Sequence, residues 1–415
     1  MNAAKKNGAL LAAADIGSGR MKVLVAEMLP DKTLALRGVG EAESSGVQEG
    51  KITDIDKSAR ALEMALKEAE IMSECRVHSL AVSMSGEHIR GREVGGETVI
   101  NDGVVTPTEI SHVRKLAGAD QPDPNAKVLT MLERHYEIDG HGGLHQPLGM
   151  TGRKLSGKMH LITASGNALA NMEKCVLQAG GRTDGDFVFS PLAAAEAVLS
   201  EDEKQLGVCI ADIGAGTTDI AVFSDGVVWH TAAFGIAGND IRSDIAHMHH
   251  ASTESAEAAK CGIGVAEQDG GEFVVLCDAS GSGDNKVGRA VVRDTIGCRA
   301  EEIVGKIADA IGRHGRQLSA GVVLVGDTAL MPGFADAAAR QLSLPVRVGL
   351  PRYRGERHEL VARPRFAVAM GLLHISAAAR RERIDTRAGM TIRDWAKELW
   401  RKLSEGDGED QNKNT

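Results

Sequence analysis

Short apolar runs that flank a glycine-rich turn occur twice in the chain, near residues 15 and 212. Residues 10–14 and 23–26 surround the first turn, and residues 207–211 and 220–223 surround the second. Apolar runs of this length that are bounded by glycine predict β-strands, and two strands joined by a short turn predict a β-hairpin. The pattern therefore predicts two related hairpins, one in each half of the chain.

Further along each half, the pattern changes to a helical period and then back to a buried strand. Residues 79–85 predict such a strand, and a similar order restarts at residue 207 and ends with predicted helices at 334–342 and 364–377. Repetition of one unit at this scale indicates an internal duplication. The apolar positions that predict the first helix, at spacings of about 3.6 residues, are Ala59, Leu62, Met64, Ala65, Leu66, Ala69 and Met72.

We therefore predict an α/β fold of two duplicated β-β-β-α-β-α domains, each with an inserted subdomain, followed by an amphipathic C-terminal helix. A charged stretch indicates a linker before that helix, and the polar end of the chain indicates disorder. The predicted boundaries are 9–85 and 166–204 for the first domain, 86–165 for its insertion, 205–245 and 319–378 for the second domain, 246–318 for its insertion, 379–389 for the linker, 390–403 for the amphipathic helix and 404–415 for a disordered tail.

The residue types in the two predicted turns suit a phosphate group. Glycine lets the backbone approach an anion closely, and the turn directs N–H groups at it. An aspartate before each turn suits a hydrated Mg²⁺, which keeps several waters and has few carboxylate ligands, and threonine hydroxyls can donate to phosphate oxygens. The candidate residues are Asp15, Gly17, Ser18 and Gly19 in the first turn and Asp212, Gly214, Ala215, Gly216, Thr217 and Thr218 in the second.

Two such hairpins that face each other would clamp a nucleoside triphosphate, with Asp15 and Asp212 near Mg²⁺ through water. An ordinary tight turn is the alternative interpretation, chiefly for the first hairpin, which lacks the two threonines. The motif is not a P-loop, since no Gly-Lys-Ser/Thr follows. It is not a Rossmann fingerprint either, since a strand rather than a helix follows the turn.

Two other segments are candidates for the nucleoside end of the ligand. A turn of Gly326, Asp327 and Thr328 follows an apolar run, and its backbone can lie against a purine or ribose. Glu257 and Lys260 share one face of a predicted helix, where the carboxylate can accept from ribose hydroxyls and the lysine adds charge. For this pair, a solvated helix face is the alternative interpretation.

The composition narrows the possible functions. The formal net charge is −9 and the pI is about 5.9, which argues against general nucleic-acid binding because such proteins carry a basic excess. The six cysteines are scattered without a Cys-x-x-Cys pair, as is typical of reduced thiols in a cytoplasm. The sequence contains no stretch that reaches the roughly 18 apolar residues of a membrane-spanning helix.

The last apolar positions, between residues 392 and 403, form a continuous stripe on a predicted helix. Residues 380–403 hold eight Arg and Lys against four Asp and Glu. A stripe of Trp and Leu with basic flanks is typical of a helix on an anionic membrane surface, and a helix packed on the core is the alternative. The candidate membrane-binding residues are Ile392, Trp395, Lys397, Leu399, Trp400, Arg401, Lys402 and Leu403.

The order of these motifs resembles the actin-like ATPase superfamily and, within it, the FtsA family of bacterial cell-division proteins. The resemblance implies the actin-like ATPase fold, ATP and Mg²⁺ as cofactors, and Gly238 as a further nucleotide-binding residue. Besides the nucleotide motifs it is carried by local blocks, which are residues 36–40, 70–75, 85–89, 160–163, 237–244 and 368–373.

The resemblance also implies partners and a location. Proteins of the FtsA family are expected to self-associate into filaments, to bind the C-terminal peptide of the tubulin-like protein FtsZ, and to meet other division proteins. They do so at the cytoplasmic face of the inner membrane, at the division site. The FtsZ peptide is expected on the second insertion, on the helix that includes residues 296–303. Its candidate contacts are Arg299, Glu302, Ile303 and Lys306.

Two positions depart from the pattern of the resemblance. The adenosine turn of the family usually contains Gly-Gly, and Asp327 occupies the second position here. Its side chain and charge are expected to weaken ATP binding or to change its pose. Actin-like relatives such as MreB have Glu before a helix-starting proline to position water, whereas Ser190 precedes Pro191 here. We therefore expect slow hydrolysis at most and assign no catalytic residue.

Other proteins with paired phosphate hairpins are alternatives. A sugar or acetate kinase would have no use for an amphipathic tail. A chaperone of the heat-shock type would need a substrate-binding domain after residue 375, where about 40 residues remain. A pilus-assembly scaffold of the PilM type binds a partner peptide on a similar body but lacks the membrane helix.

Overall fold

The computed structural model describes residues 9–119, 123–267, 271–280, 283–312 and 317–386. The first elements are β1 (Ala9–Ile16), β2 (Arg20–Met28), β3 (Leu34–Glu43), β4 (Val47–Gln48), β5 (Lys51–Ile52), α1 (Ile55–Ser73) and β6 (Leu80–Met84). They are followed by β7 (Ile89–Val99), α2 (Pro107–Ala119), β8 (Ala126–Ile138), β9 (His141–Leu144) and β10 (Lys154–Ser165). The chain then forms α3 (Gly166–Gln178), β11 (Thr183–Phe189) and α4 (Ser190–Val198).

The second half begins with α5 (Glu201–Leu206), β12 (Val208–Ile213), β13 (Thr218–Ser224), β14 (Val227–Phe234) and α6 (Gly238–Met248). It continues with α7 (Thr253–Ile263), β15 (Phe273–Cys277), β16 (Asp284–Gly288) and α8 (Arg289–Gly312). The remaining elements are β17 (Val322–Val325), α9 (Phe334–Leu342), β18 (Val346–Val348), α10 (His358–Val361) and α11 (Ala367–Thr386), with 3-10 turns at Thr328–Leu330 and Pro364–Phe366.

Two five-stranded sheets share one topology, with strand orders β11-β6-β1-β2-β3 and β18-β17-β12-β13-β14. In each sheet, three strands form an antiparallel meander and the other two pair in parallel beside its first strand. Helices α4 and α11 pack against each other, so the two halves share part of one hydrophobic core. The predicted duplication is therefore confirmed by the strand order.

Close helix packing explains the glycines of the first sheet. On α1, Leu62 and Ala65 are fully buried against β3. A Cβ on Gly40 of β3 would overlap the carbonyl oxygen of Ala65, so glycine is what allows this approach. Met64 and Met72, which belong to the predicted apolar set, are 66% and 38% exposed because the buried face of α1 is narrower than that set.

Each half carries additional elements beside its sheet. Between β6 and α3, a four-stranded sheet of order β7-β10-β8-β9 packs against α2. Between α6 and β17, helices α7 and α8 accompany the two-stranded β15-β16 hairpin and share a hydrophobic core with β12, β13 and β17. These elements lie where the two insertions are predicted, and they place α7 beside the second phosphate hairpin.

The last described helix, α11, runs to Thr386 and so extends through the first part of the segment predicted as a linker. Its alanines explain the difference, because Ala377 and Ala379 are buried and alanine has the highest helix propensity. The remainder of the predicted linker, the amphipathic helix and the tail lie outside the described residues. Among the helices that are described, none combines the length and apolar character needed to cross a membrane.

Candidate functional site

The first hairpin joins β1 to β2 and places Asp15 opposite Lys22. The Nζ of Lys22 lies 2.6 Å from Oδ2 of Asp15, and the hydroxyl of Ser83 donates to Oδ1 over 2.9 Å. Burial, the largest single influence, would lower the pKa of Lys22. The charge and hydrogen bond of Asp15, together with the charges of Asp212 and Asp327, outweigh burial and raise the pKa. The carboxylate at this turn is therefore compensated within the protein.

The second hairpin joins β12 to β13 and places Asp212 opposite Asp219, a second acid instead of a lysine. Burial raises the pKa of Asp212 to about 8, and the charges of Asp15 and Asp219 reinforce this effect. Lys22 acts in the opposite direction but does not restore the ordinary value. The carboxyl group at this turn thus holds a proton near neutral pH unless a further positive charge arrives.

Asp219 is fully buried beside the second turn. Its Oδ1 accepts from the backbone N–H of Gly86 over 2.9 Å. Among the described residues, no donor meets its Oδ2 in hydrogen-bond geometry, although the hydroxyl of Thr217 is near enough to favour the charged form. Burial outweighs both influences and raises the pKa of Asp219 to about 7.

The two turns contact each other at their tips. A Cβ on Gly19 would lie 2.7 Å from Cβ of Ala215, and one on Gly216 would lie 2.8 Å from Oγ of Ser18. These two glycines are therefore required by the close approach of the hairpins as well as by any phosphate. The N–H of Gly50, in the turn between β4 and β5, donates to Oγ of Ser18 over 3.1 Å.

The threonine hydroxyls near the second turn are partly engaged inside the protein. Thr218 is fully buried and its Oγ1 donates to the carbonyl of Ile236 over 2.7 Å. In this structure the single hydroxyl proton of Thr218 is therefore used within the protein, and its assignment to the nucleotide site stays a prediction. Oγ1 of Thr328 donates in the same way to the carbonyl of Gly214, over 2.8 Å.

The candidate residues for the nucleoside end lie together. The Nζ of Lys260 is 2.7 Å from Oε2 of Glu257 and donates to the carbonyl of Gly238 over 3.3 Å. Lys260 is only 8% exposed, so the alternative of a solvated helix face does not hold for it. A Cβ on Gly238 would lie 2.5 Å from Oγ1 of Thr328, which fixes the start of α6 against the adenosine turn.

The predicted adenosine turn, residues 326–328, contains Asp327 where the family usually has glycine. The charge of Asp327 is paired within the protein. Gly326 has a φ of +86°, and a Cβ there would lie 2.9 Å from Oδ1 of Asp212. Oδ1 of Asp327 is 2.7 Å from Nε of Arg365, and Nη1 of Arg365 is 3.3 Å from Oε2 of Glu41. The negative charge of Asp327 is therefore balanced by Arg365.

These elements border a cleft of about 900 Å³, within the roughly 300–1,000 Å³ that is common for small-molecule sites. The other predicted residues lie beside it. The hairpins and turns contain Asp15, Gly17, Asp212, Gly214, Gly216, Thr217, Thr218 and Gly326, and helix α6 begins at Gly238. The predicted residues that line it are Ser18, Gly19, Ala215, Glu257, Lys260, Asp327 and Thr328, and the structure adds Arg20, Asn239, Arg242 and Arg365.

Sequence reasoning included Lys260 but missed the other basic residues of the site. The position of Lys22 could have been found, since antiparallel pairing about the first turn puts it opposite Asp15. Arg365 could not, because it lies 343 positions from Lys22, whose Nζ donates to its carbonyl over 3.1 Å. No local pattern connects residues at such a separation.

The residues fit a nucleoside triphosphate with a hydrated Mg²⁺. In the part of the chain that the structure describes, no three His, Cys, Asp or Glu side chains are grouped to hold a metal. A Mg²⁺ that keeps its waters does not need such a group, and a cation near Asp212 would lower its raised pKa. Arg20, Arg242 and Lys260 supply the positive charge that phosphates require.

Ser190 begins α4 and is 2% exposed. Its hydroxyl donates to the carbonyl of Met84 over 3.0 Å. This hydrogen bond ties the start of α4 to the end of β6 and uses the only proton that the side chain has. Ser190 therefore offers no carboxylate and no free donor for positioning water.

The predicted partner contacts lie on α8, but they differ in accessibility. Arg299 makes a two-pronged ion pair with Asp244, at 2.7 and 3.1 Å, and its Nη1 is 2.7 Å from Oε2 of Glu302. The Nζ of Lys306 lies 5.9 Å from the ring centroid of Phe234.

Ile303 is fully buried in the core of the second half, together with Ile296 and Ile307. The expectation that it contacts a partner is therefore wrong, because the helical period turns it inward. The candidate membrane-binding residues Ile392, Trp395, Lys397, Leu399, Trp400, Arg401, Lys402 and Leu403 lie outside the described residues.

Two segments of the chain match known protein families. Residues 209–371 match the family described as cell division protein FtsA, and residues 86–163 match the family described as an SHS2 domain inserted in FtsA. The cell division protein FtsA of Neisseria meningitidis serogroup B is 35% identical over 366 residues, which cover 87% of this chain and 88% of that protein.

Solved structures are similar at the level of the fold. A PilM–PilN type IV pilus biogenesis complex superposes with a TM-score of 0.65 at 17% identity, over 88% of this chain and 98% of that one. MreB5 of Spiroplasma citri bound to ADP superposes with a TM-score of 0.54 at 13% identity, over 91% of this chain and 98% of that one. The predicted actin-like ATPase fold is thereby confirmed.

Proposed function

Because the chain belongs to the FtsA family of cell-division proteins, we propose that it is an ATP-binding, actin-like scaffold of the division machinery. In this proposal it lies on the cytoplasmic face of the inner membrane at the division site. There it self-associates into filaments, binds the C-terminal peptide of FtsZ and tethers the Z ring. It also helps to recruit other division proteins.

The proposal that the protein binds a nucleotide rests on Asp212, the acid at the second turn, which faces Asp219 and not a lysine. Burial raises the pKa of Asp212 to about 8. The hairpin that holds Asp212 lies beside a cleft whose lining includes four basic side chains, Arg20, Arg242, Lys260 and Arg365. A hydrated Mg²⁺ brought in with ATP would be held near Asp15 and Asp212, and the basic residues would meet the phosphates. Mg²⁺ supplies charge neutralisation and polarises the phosphate oxygens when it is bound. A nucleotide is also named with one structure of the same fold, MreB5 with ADP.

ATP is proposed as a structural ligand and switch, with slow hydrolysis. Ser190 is buried and its hydroxyl donates to the carbonyl of Met84. Asp15 and Asp219 are buried acids of the two hairpins that could position water instead. We expect turnover well below the roughly 1–10³ s⁻¹ of typical enzymes. Phosphate release by the purified protein in that range would contradict this part and would direct attention to Asp219 or Asp15.

The membrane part rests on the sequence of residues 390–403. Trp395 and Trp400 supply the apolar area, and Lys397, Arg401 and Lys402 supply attraction to anionic lipid. This pattern favours the membrane scaffold over a PilM-type scaffold or a sugar or acetate kinase, since those share only the fold and the hairpins.

In this proposal, the C-terminal peptide of FtsZ binds to α8 of the second half. Arg299 and Glu302 remain candidate contacts, with side chains 28% and 48% exposed. Arg299→Glu should impair recruitment of FtsZ while ATP and lipid binding persist, because the peptide is expected to bring its own charges. Asp244→Ala is the matched control, since it breaks the same ion pair but keeps the arginine. Equal peptide affinity in Arg299→Glu and the unmodified chain would place the contact elsewhere in residues 246–318.

The proposal as a whole is tested by co-sedimentation with anionic liposomes, with and without ATP and with FtsZ added. The full chain should bring FtsZ to the liposome pellet, and a 1–387 truncation should leave both in the supernatant.

Trp395→Glu with Trp400→Glu should release the protein from the membrane while the body stays folded. Singly, the basic residues should matter less, about 1 kcal/mol each, and their effect should fade with salt. Membrane binding by the double tryptophan variant would defeat the tether.

A further inference from the structure

The four-stranded inserted sheet has two different faces. One face packs on α2 through an apolar cluster that includes Val113, Tyr136 and Leu161. The other meets β14, the edge strand of the second five-stranded sheet, through β7, β8 and β10. Although the insert is connected in sequence to the first half, this second face contacts the second half. The contact includes the buried polar side chains of Arg134, His160 and Thr231.

Arg134 of β8 is the centre of this polar contact and is 5% exposed. Its Nε donates to the carbonyl of Val228 over 3.0 Å, and its Nη2 donates to the carbonyl of Trp229. Its Nη1 is 2.5 Å from Oε2 of Glu93, and its guanidinium carbon lies 5.0 Å from the ring centroid of Trp229. One side chain of the insert thus serves two consecutive backbone carbonyls of β14.

His160 of β10 extends the contact to a third residue of β14. Its Nδ1 lies 3.0 Å from Nη2 of Arg134, and its Nε2 lies 2.8 Å from Oγ1 of Thr231. Because arginine can only donate, Nδ1 must accept, so the proton of the neutral ring is on Nε2 and is donated to Thr231. Gly91 of β7 completes the contact, since a Cβ there would overlap Oγ1 of Thr231.

The root of the insert is tied to the second half as well. The N–H of Gly86 donates to Oδ1 of Asp219 over 2.9 Å, and the N–H of Gly235 donates to Oε1 of Glu87 over 3.0 Å. At the same time Leu132 and Ile162 of the insert are buried in the hydrophobic core that the two halves share. The insert therefore has an apolar attachment to this shared core and, in addition, a polar attachment to the second half.

We propose that the insert is a brace between the two halves, and that the contact of Arg134, His160 and Gly91 with β14, here called the insert latch, must yield before the nucleotide cleft can open. An apolar interface can slide by small steps, but buried donors and acceptors either pair or lose their partners at a cost. The latch thus favours one closed arrangement. Its consequence for nucleotide release rests on the proposed ATP binding; its effect on β14 does not.

The decisive variant is Arg134→Met, which keeps the apolar stem and leaves the carbonyls of Val228 and Trp229 without this donor. In the full chain, a fluorescent ATP analogue should dissociate about fivefold faster or more in stopped-flow mixing, the scale on which loss of one hydrogen bond changes a rate. Without nucleotide, hydrogen exchange of the amides of β8 and β14 should accelerate together. Lys154→Met is the matched control, because Lys154 lies on β10 in an exposed ion pair with Glu97.

Milder variants keep the test informative if Arg134→Met does not fold. Thr231→Val removes only the acceptor of His160, and Gly91→Ala adds a methyl group as a wedge between β7 and β14. Both should accelerate exchange of β14 and release of the analogue, by less than Arg134→Met.

Three results would separate the possibilities. Unchanged exchange of β14 in all folded variants would overturn the latch. Faster exchange of β14 with unchanged release of the analogue would overturn its control of the cleft. No binding of the analogue by the unmodified chain would refute the proposed nucleotide site, while the exchange of β14 would still decide for or against the latch.

Discussion

The two glycine-rich hairpins share one sequence pattern and one backbone arrangement, yet their charges are organised differently. In the first hairpin, Asp15 faces Lys22 at 2.6 Å. In the second, Asp212 faces Asp219, and burial raises the pKa of Asp212 to about 8. The residue three positions after the turn decides the difference, because antiparallel pairing puts it opposite the leading aspartate.

This difference gives the hairpins different tasks in the proposed site. The first is a preformed, charge-balanced wall of the cleft. The second carries an acid that is stabilised only when a cation is close, so it is the part that responds to Mg²⁺ with nucleotide. A duplicated fold can thus keep its geometry in both copies and place the ligand response in one.

The largest expected effect follows from removing the responsive acid. Asp212→Ala should abolish ATP binding, a loss on the order of 100-fold or more for a group that a cation and its waters depend on. Gly214→Asp should do the same, because it puts a carboxylate in the phosphate turn. Gly214→Ala adds only a methyl group, whose nearest neighbour is the carbonyl oxygen of Thr217 at 3.6 Å, and should reduce the affinity less than Gly214→Asp does. Unchanged ATP affinity by calorimetry in both Asp212→Ala and Gly214→Asp would refute the proposal that the two hairpins clamp the nucleotide.

A smaller effect is expected from the balanced hairpin. Lys22→Met should leave Asp15 without its partner and weaken nucleotide affinity by about tenfold, the scale of one lost charged hydrogen bond. Lys57→Met is the control, because Lys57 is 60% exposed in an ion pair at 3.5 Å. If Lys22→Met binds ATP as well as the unmodified chain does, the first hairpin contributes geometry but no charge to the site.

The pH dependence should also separate the two hairpins. Folding raises the pKa of Asp212 to about 8 and of Asp219 to about 7, from roughly 3.9 in the unfolded chain. The folded state therefore binds more protons between those values, and its stability should fall as the pH rises from about 4 to about 8. Between pH 6 and pH 8.5 the change due to Asp212 should be roughly 2–3 kcal/mol, since each pH unit below its folded pKa changes the free energy of unfolding by about 1.4 kcal/mol.

Urea unfolding at pH 6 and pH 8.5 without nucleotide measures this effect, and Asp212→Asn should reduce it. Mg²⁺–ATP affinity should rise over the same range, since binding must displace a proton. An equal pH response in Asp212→Asn and the unmodified chain would show that Asp212 is not the titrating group.

The smallest expected effect concerns the adenosine turn. Asp327→Gly should hold ATP affinity or raise it within about threefold, because Arg365 already balances the charge and partly exposed pairs contribute little. Isothermal titration of the two proteins under identical salt measures it. A clear drop in affinity would mean that Asp327 contacts the ligand directly.

Local signals predicted both hairpins, α1 and the duplicated order, since each depends on residues that are near in sequence. They also placed Glu257 and Lys260 on one helix face, where the structure shows a 2.7 Å ion pair. They failed for Ile303, whose burial depends on which side of α8 the rest of the chain covers. They failed for Arg365 and Arg134 because the partners of these residues lie far away in sequence.

By itself, the sequence determined the elements and their repetition, because glycine turns and hydrophobic periods act over a few residues. It also determined the likeness to the FtsA family and the amphipathic pattern of residues 390–403. Only the tertiary structure decided how far burial raises the pKa of Asp212, which arginine balances Asp327, and which half the polar face of the insert contacts. These outcomes depend on desolvation and on distances between atoms of remote residues, and a linear pattern contains neither.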